Sequence, residues 1–245
     1  GKTSLMITFA LKAAQKRRTV ALFSLEMSAE QLVQRMISQI SHIDAQRLRL
    51  GRLRDDEWPQ FTDAIGHLAE LPIYIDDTPS ISVLQLRTKC RRLASERSLD
   101  MAFVDYLQLM TTEIRSDNRV QEVSYISRSL KGLARELDLP LMTASQLSRA
   151  VEQRADKVPV LSDLRESGSL EQDADIVMFI YRDEMYHPET EKPRIADIIV
   201  AKHRNGPTGT VQLFFNSRLT QFADAATHVS PEQYNGGGGP PPLGT

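Results

Sequence analysis

Residues 101–105 read Met-Ala-Phe-Val-Asp, a run of four apolar side chains that ends in a carboxylate. An apolar run this short predicts a strand buried on both faces, with Asp105 at its C-terminal end. Similar runs occur before it at residues 19–25 (TVALFSL) and after it at residues 140–144 (PLMTA). In α/β sheets, ligands bind at the edge where the C-terminal ends of parallel strands meet. The sequence therefore predicts a ligand site near Asp105.

Helical and strand patterns alternate along the rest of the chain. Capping boxes at Ser28/Gln31 and Ser82/Gln85 predict two helix starts. Helices are predicted at 3–15, 28–40, 55–71, from 82 onward and at 119–138, and further strands at 73–76, 175–181, 195–202 and 210–215. The helix at 119–138 has an apolar stripe of Val120, Val123, Ile126, Leu130, Leu133 and Leu137. We predict an α/β fold: a mostly parallel twisted sheet, helices on both faces and a C-terminal antiparallel hairpin extension.

The composition indicates a soluble globular protein with one large domain. Of 245 residues, 41% are hydrophobic and 25% are charged. No apolar run approaches the roughly 20 residues of a membrane span, and no secretory signal is recognisable. Cys90 is the single cysteine, which fits a reducing cytoplasm. The stretch GGGGPPPLG predicts a flexible tail at 229–245, so the domain is expected to cover 1–228.

The first three residues, Gly1-Lys2-Thr3, match the end of the phosphate-binding loop pattern G-x-x-x-x-G-K-[ST]. In that motif the lysine reaches the outer phosphates and the hydroxyl binds Mg²⁺. The tripeptide alone is a weak signal, and taken by itself it favours an ordinary helix start. An acid such as Asp105 at a strand end can hold Mg²⁺ through water. The Gly1-Lys2-Thr3 motif and this acid together predict a site for a nucleoside triphosphate.

Further polar groups follow the other predicted strands. Glu26 comes just after the strand at 19–25 and could act as a general base, and Gln146 follows the strand at 140–144 and could sense a phosphate. Lys202 and Arg204 enter the turn HRNGPTG (203–209), from which an arginine finger could reach the nucleotide of a neighbouring copy. Each of these side chains is also compatible with a plain surface role.

Two charged loops are candidates for contacts with a phosphate backbone. One contains LRESGSLEQDAD (164–175), most of which lies in a stretch, 145–173, that is poor in regular pattern. Arg149, Arg154 and Lys157 add positive charge upstream of it. The other loop is the polar stretch 111–118, which Arg115 and Arg119 bracket. Neither loop has interleaved aromatic residues, so base stacking is not expected. The overall charge of −2 argues against a protein that coats duplex DNA, but not against DNA binding by a few loops.

Five segments in this order resemble the C-terminal domain of the bacterial replicative helicases of the DnaB family. They are FSLEMS (23–28), VDYLQLM (104–110), SQLSRAVEQR (145–154), LSDLRESGSLEQDAD (161–175) and AKHRNGPTG (201–209). The resemblance extends from Gly1 to about Phe222 and implies a RecA-like P-loop NTPase that hydrolyses ATP with Mg²⁺. It also implies a homo-hexameric ring that translocates 5′ to 3′ on single-stranded DNA, in contact with primase and a helicase loader, in the cytoplasm and not in a membrane.

The resemblance assigns a role to each candidate residue. Gly1, Lys2, Thr3, Ser4 and Asp105 would bind nucleotide, with Thr3 and Asp105 on Mg²⁺. Glu26 would be the catalytic base, Gln146 the γ-phosphate sensor, and Lys202 and Arg204 would act on the ATP of the adjacent subunit. Arg165, Glu166 and Gly168 would hold the DNA strand.

The chain begins inside the phosphate-loop pattern, so we expect these 245 residues alone to bind nucleotide poorly. Three other interpretations remain open at this stage. They are another RecA-like ATPase such as a recombinase or a RadA-type protein, an ATP-dependent loader or switch, and an unrelated α/β nucleotide-binding domain. The segments at 161–175 and 201–209 favour the helicase.

Overall fold

The computed structural model describes residues 1–112 and 118–225, and for residues 165–168 it describes the backbone alone. The helices are α1 (Lys2–Gln15), α2 (Ala29–Ser41), α3 (Ala45–Arg49), α4 (Trp58–Glu70), α5 (Val83–Arg97), α6 (Arg119–Glu136), α7 (Ala150–Gln153) and α8 (Gly168–Asp173). The strands are β1 (Val20–Ser24), β2 (Ile73–Asp76), β3 (Met101–Asp105), β4 (Leu141–Thr143), β5 (Ile176–Tyr181), β6 (Ile195–His203), β7 (Gly209–Asn216) and β8 (Gln221–Asp224). Short 3-10 turns cover Asp55–Glu57, Leu107–Leu109, Leu161–Ser167 and Asp183–Met185. The predicted tail at 229–245 and Arg115 lie outside the described residues.

Four strands form a parallel sheet in the order β2-β1-β3-β4. Within it, Ser24 pairs with Asp105 and Val104 pairs with Thr143. The strands that precede Glu26 and Gln146 therefore flank the strand that ends in Asp105. The register confirms that the three C-terminal strand ends share one edge of the sheet.

Helices cover both faces of this sheet, as predicted. Along β1, Ala21 and Phe23 point into a core formed with α5 and α6, whereas Val20 and Leu22 point into a core formed with α1 and α2. Alternate residues of a strand face opposite sides, so a strand buried on both faces is apolar at every position. Cys90 lies in the first core, and its burial raises the pKa of the thiol to about 12. It is a packing residue.

The C-terminal strands form a second sheet, antiparallel, in the order β5-β6-β7-β8. The predicted antiparallel hairpin is confirmed as β6 and β7, but it belongs to a four-stranded sheet rather than standing as a two-stranded extension. β8 was missed because the four residues QFAD carry too short an alternation. Helix α1 packs against this sheet through Leu5, which joins Phe215 and Phe222 in a third core. The start of α1 therefore lies where the two sheets approach each other.

Local capping signals account for several of the helix starts. Both predicted capping boxes are present, at Ser28 with Gln31 and at Ser82 with Gln85. α3 was not predicted, because its five residues AQRLR have no apolar period. Its start is fixed by Asp44, whose carboxylate accepts hydrogen bonds from two backbone N–H groups of the first turn.

The apolar stripe predicted for 119–138 needs one correction. Val123, Ile126, Leu130 and Leu133 are buried, but Val120 is 45% exposed. The buried part of α6 begins only at Val123, so the first turn of the helix extends beyond the core. None of the helices in the two described stretches is long and apolar enough to cross a membrane.

The stretch 145–173 has more order than its sequence predicts. It contains α7, the 3-10 turn Leu161–Ser167 and α8. Asp163 is 4% exposed and binds the Arg154 guanidinium through both carboxylate oxygens, at 2.8 and 2.9 Å. The expectation that Arg154 adds positive charge for DNA is therefore wrong, because its charge is matched by this buried acid. The ion pair joins the residue that follows α7 to the 3-10 turn Leu161–Ser167.

Candidate nucleotide-binding site

The Thr3 hydroxyl donates a hydrogen bond of 2.6 Å to Oδ2 of Asp105. Thr3 stands in the first turn of α1, and Asp105 is the last residue of β3. The two residues are 102 positions apart in the sequence, and the packing of α1 against the parallel sheet brings them together. The predicted pairing of a phosphate-loop hydroxyl with a strand-end acid is therefore present.

Asp105 has spare capacity to bind a ligand. The residue is 2% exposed, and its Oδ1 is a buried oxygen with no hydrogen-bond partner in the described part of the chain. A buried carboxylate oxygen without a donor is unfavourable unless a cation or a donor reaches it. Carboxylate and hydroxyl oxygens are the ligands that Mg²⁺ prefers. The residues present thus fit a magnesium ion at Thr3 and Asp105.

Lys2 stands beside this pair. Its ammonium lies 5.3 Å from the centre of the Tyr106 ring, within the range of a cation–π contact. Tyr106 follows Asp105 directly, so the same turn that carries the acid also places an aromatic ring under the lysine. A lysine held over a ring keeps its charge free to bind an outer phosphate.

Gly1 and Ser4 complete the set predicted for nucleotide binding. Gly1 caps α1, and its carbonyl accepts the Leu5 N–H at 3.0 Å. Backbone N–H groups at the first turn of a helix favour an anion. Ser4 is 6% exposed, and its own role in binding remains a prediction.

Glu26 projects into solvent next to the acid. The backbone N–H of Leu25, one residue earlier, donates to the Asp105 carbonyl at 2.7 Å, so the end of β1 is tied to the end of β3. Ser24 closes the turn that follows, because its hydroxyl donates to the Met27 carbonyl at 2.7 Å. An exposed carboxylate held at this edge can accept a proton from water.

Arg35, which the sequence alone did not single out, lies near enough to the two acids of this edge for their charges to affect it. Burial lowers the pKa of its guanidinium, and the negative charges of Asp105 and Glu26 oppose that shift. Arg35 also lines a cavity of about 560 Å³ between α2, α3 and the turn before β8. It lies in the middle of α2, where a charged residue has no distinguishing pattern. The positive charge can offset the two acids.

Gln146 is positioned by a second glutamine. The Gln146 N–H donates to Oε1 of Gln108 at 3.2 Å, and Nε2 of Gln108 donates to the Ser145 hydroxyl at 2.8 Å and to the Gln146 carbonyl at 3.4 Å. Gln108 lies three residues after Asp105, and Gln146 lies three after the end of β4. The Gln146 side chain itself is exposed at the sheet edge.

Lys202 and Arg204 contact a different part of the molecule. Nζ of Lys202 donates to the carbonyls of Glu171 and Gln172 at 2.5 and 3.3 Å. Arg204 also donates to the Gln172 carbonyl, at 3.1 Å, and lies 3.6 Å from Asp175. Carbonyls near a helix C-terminus attract cations. Within one chain, therefore, these two cations are held by the end of α8 and not by the Thr3–Asp105 pair.

Gly206 lies in the turn between β6 and β7, close to the ring of His203. A Cβ built on Gly206 would stand 2.3 Å from Cε1 of His203. The His203 ring fills that space and lies 3.2 Å from the Pro207 carbonyl through Nδ1. Any larger residue at 206 would displace the ring.

The residues predicted to hold DNA lie at the junction of the 3-10 turn Leu161–Ser167 and α8. Arg165, Glu166 and Gly168 are described through their backbone alone, and their side chains lie outside the description. Their roles remain predictions. The junction is the N-terminal end of α8, the helix whose C-terminal end holds Lys202 and Arg204.

Comparison with known proteins gives a consistent result. Residues 1–224 match the family described as DnaB-like helicase C terminal domain. The chain is 55% identical to the Replicative DNA helicase DnaB of Geobacillus stearothermophilus over 226 residues, which is 91% of this chain and 50% of that protein. It is 54% identical to the Replicative DNA helicase DnaC of Bacillus subtilis (strain 168), with the same coverage. The chain thus spans about half the length of the curated relatives it matches.

Solved structures agree with this placement. One that is described as an ATPase domain has a TM-score of 0.89 and 40% identity, over 92% of this chain and 81% of that chain. The RadB recombinase has a TM-score of 0.52 and 15% identity over 92% of this chain and 86% of that one, a likeness of fold alone. The fold is therefore RecA-like, and the chain belongs to the family of DnaB-like helicase C-terminal domains.

Proposed function

We propose that this chain is the ATP-hydrolysing motor domain of a replicative DNA helicase. The observation that carries the proposal is the 2.6 Å hydrogen bond from Thr3 to Asp105 at the edge that also bears Glu26 and Gln146. That arrangement places a hydroxyl and an acid that suit Mg²⁺ at the same sheet edge as a candidate base and a candidate phosphate sensor, which are groups that phosphoryl transfer to water uses. The named relatives, both replicative DNA helicases, support the choice of this ATPase class over others.

The chain's own residues divide the reaction between them. Lys2 and the N-terminal turn of α1 bind the phosphates of ATP, and Glu26 accepts a proton from the attacking water. Gln146 orients that water or contacts the γ-phosphate. A magnesium ion held at Thr3 and Asp105 would neutralise charge on the phosphate oxygens. Lys202 and Arg204 of an adjacent copy stabilise the charge that develops on the transferred group.

Single-stranded DNA is the proposed track of the motor, and a homo-hexameric ring is the proposed assembly. The segment LRESGSLEQDAD (164–175) supports this, because its small residues and Arg165 suit contacts of backbone N–H groups and a guanidinium with phosphates, without base recognition. Translocation runs 5′ to 3′ in this proposal. One solved relative is described as a DnaB-like replicative helicase with its interactions with primase, at a TM-score of 0.89 and 40% identity. We extend primase to this protein as a partner, together with a helicase loader.

The test measures ATP hydrolysis with and without single-stranded DNA, and strand displacement on a forked duplex, in a ring-forming form of the protein. DNA should stimulate hydrolysis, and the fork should be unwound. Arg204→Ala should lower the DNA-stimulated rate of ATP hydrolysis about a thousandfold, while nucleotide binding persists. The matched control is Arg92→Ala, an exposed arginine on α5. Hydrolysis that ignores DNA and tolerates the loss of Arg204 would instead support a loader or switch.

A further inference from the structure

Gln108 has no role in the proposed reaction, yet its side chain contacts the segment that carries Gln146 through both ends of its amide. It accepts from the Gln146 N–H at 3.2 Å and donates to the Ser145 hydroxyl and the Gln146 carbonyl at 2.8 and 3.4 Å. The reverse orientation of the amide would set donor against donor at Gln146, so these bonds fix which end is oxygen. Two anchor points on one backbone segment define its orientation as well as its position.

The same residue is bound from its other side. The Gln108 carbonyl accepts a hydrogen bond from the guanidinium of Arg119, the first residue of α6. Arg119 also pairs with Glu122 at 2.7 Å, and about half of its side chain is exposed. An exposed guanidinium at the start of a helix is accessible to an anion from outside. Gln108 therefore lies between a surface cation and the Gln146 segment.

Gln108 is itself held in place by the sheet edge. It lies in the 3-10 turn Leu107–Leu109, where Leu107 is fully buried and its N–H donates to the Ala144 carbonyl at 3.0 Å. The turn that follows Asp105 is thereby fastened to the end of β4. A displacement of the turn at Gln108 would disturb the neighbouring segment, because the Gln108 side chain makes two hydrogen bonds with the Gln146 backbone and one with the Ser145 hydroxyl.

We infer that Gln108 is a positioning residue for hydrolysis: its amide holds the Ser145–Gln146 segment so that Gln146 faces the γ-phosphate, and its carbonyl links that segment to Arg119. The inference rests on the proposed function, since it concerns the residue that holds Gln146 in the proposed ATPase site. Gln108 does not contact the substrate. Its loss leaves the Gln146 side chain present but without a fixed orientation.

The test is a double-mutant cycle on ATP hydrolysis in a form of the protein that responds to single-stranded DNA. Gln108→Ala should lower the DNA-stimulated kcat about tenfold, and KM for ATP and the affinity for single-stranded DNA should stay within about twofold. In a Gln146→Ala background, Gln108→Ala should have no further effect, because the residue acts through Gln146. Gln60→Ala, on the exposed face of α4, is the matched control.

Ser145→Ala provides a second variant that removes one partner of the Gln108 amide and leaves Gln108 intact. It should lower kcat in the same direction and by a smaller factor. Additive losses of Gln108 and Gln146, or a stimulated kcat within twofold of the unaltered protein, would overturn the inference while the proposed function stands. An unaltered protein whose hydrolysis ignores DNA would overturn both. A parallel rise in KM would show a purely structural role and also overturn the inference.

Discussion

The Thr3 hydroxyl donates to one oxygen of the Asp105 carboxylate, whose other oxygen has no partner among the described residues. Thr3→Val keeps the shape of the side chain and removes the donor. Asp105 would then be a buried acid with neither oxygen bonded to a side-chain donor. We expect the free energy of unfolding to fall by about 1–3 kcal/mol in the absence of nucleotide, measured by denaturant titration.

Hydrolysis should fall about a hundredfold or more in Thr3→Val, since the hydroxyl is also the proposed magnesium ligand. Thr3→Ser keeps the hydroxyl and should retain most of both stability and activity. Steady-state rates across a range of Mg²⁺ concentrations measure the effect. A valine variant with normal rates at low Mg²⁺ would show that the hydroxyl has no part in binding the ion.

Individual polar residues at this sheet edge differ in how far the sequence predicts their role. Asp105 was found because four apolar residues before an acid predict a strand end. Arg35 and Gln108 were not found: one lies within a helix and the other in a 3-10 turn, and neither position has a pattern that distinguishes a functional polar residue from a surface one. Their importance comes from neighbours distant in sequence, which only the fold brings together.

The segment between β4 and β5 contains an ion pair between Arg154 and the buried Asp163. Arg154→Met would leave the Asp163 carboxylate buried with two of its hydrogen bonds lost. We expect a loss of roughly 3 kcal/mol, because removing one partner of a buried pair leaves an uncompensated charge. Hydrogen exchange across residues 145–167 should become faster, whereas exchange in the strands β1 and β3 should change little.

The matched control for that element is Arg149→Met, since Arg149 is exposed and lies in the same loop. Adding Asp163→Leu to Arg154→Met should restore part of the lost stability, because it removes the unpaired charge. Unchanged unfolding midpoints in Arg154→Met would contradict the assignment. The affinity of Arg154→Met for single-stranded DNA is a separate measurement. We expect it to fall only to the extent that the segment 145–167 becomes less ordered.

Element prediction succeeded where a short apolar run or a capping box marks the element. β2 and β3 have the predicted bounds, and both capping boxes start the helices that they predict. It failed for α3 and β8, which are five and four residues long. Such short elements form because capping and pairing partners elsewhere in the fold stabilise them. Their own composition therefore gives little sign that they form.

For the whole molecule, the two sheets separate the two halves of the proposed site. The parallel sheet bears Asp105 and Glu26, whereas Lys202 and Arg204 stand at the end of β6 in the antiparallel sheet, bound to the carbonyls of Glu171 and Gln172. A single copy therefore presents acids at one place and cations at another. A head-to-tail contact between copies can bring the cations of one to the acids of the next, and such contacts form a ring when the rotation between neighbouring copies closes.

A mixing experiment tests this arrangement. Glu26→Gln and Arg204→Ala assemblies should each be inactive in ATP hydrolysis, because every site in the first lacks the base and every site in the second lacks the cation. When the two variants are dissociated, mixed in equal amounts and reassembled, about a quarter of the interfaces should join an intact Glu26 to an intact Arg204 from the next copy. Hydrolysis should return in proportion, and mixing without reassembly is the control. If Arg204 instead acted on the nucleotide of its own chain, no mixed assembly would contain a complete site, and activity would stay at the level of the separate variants.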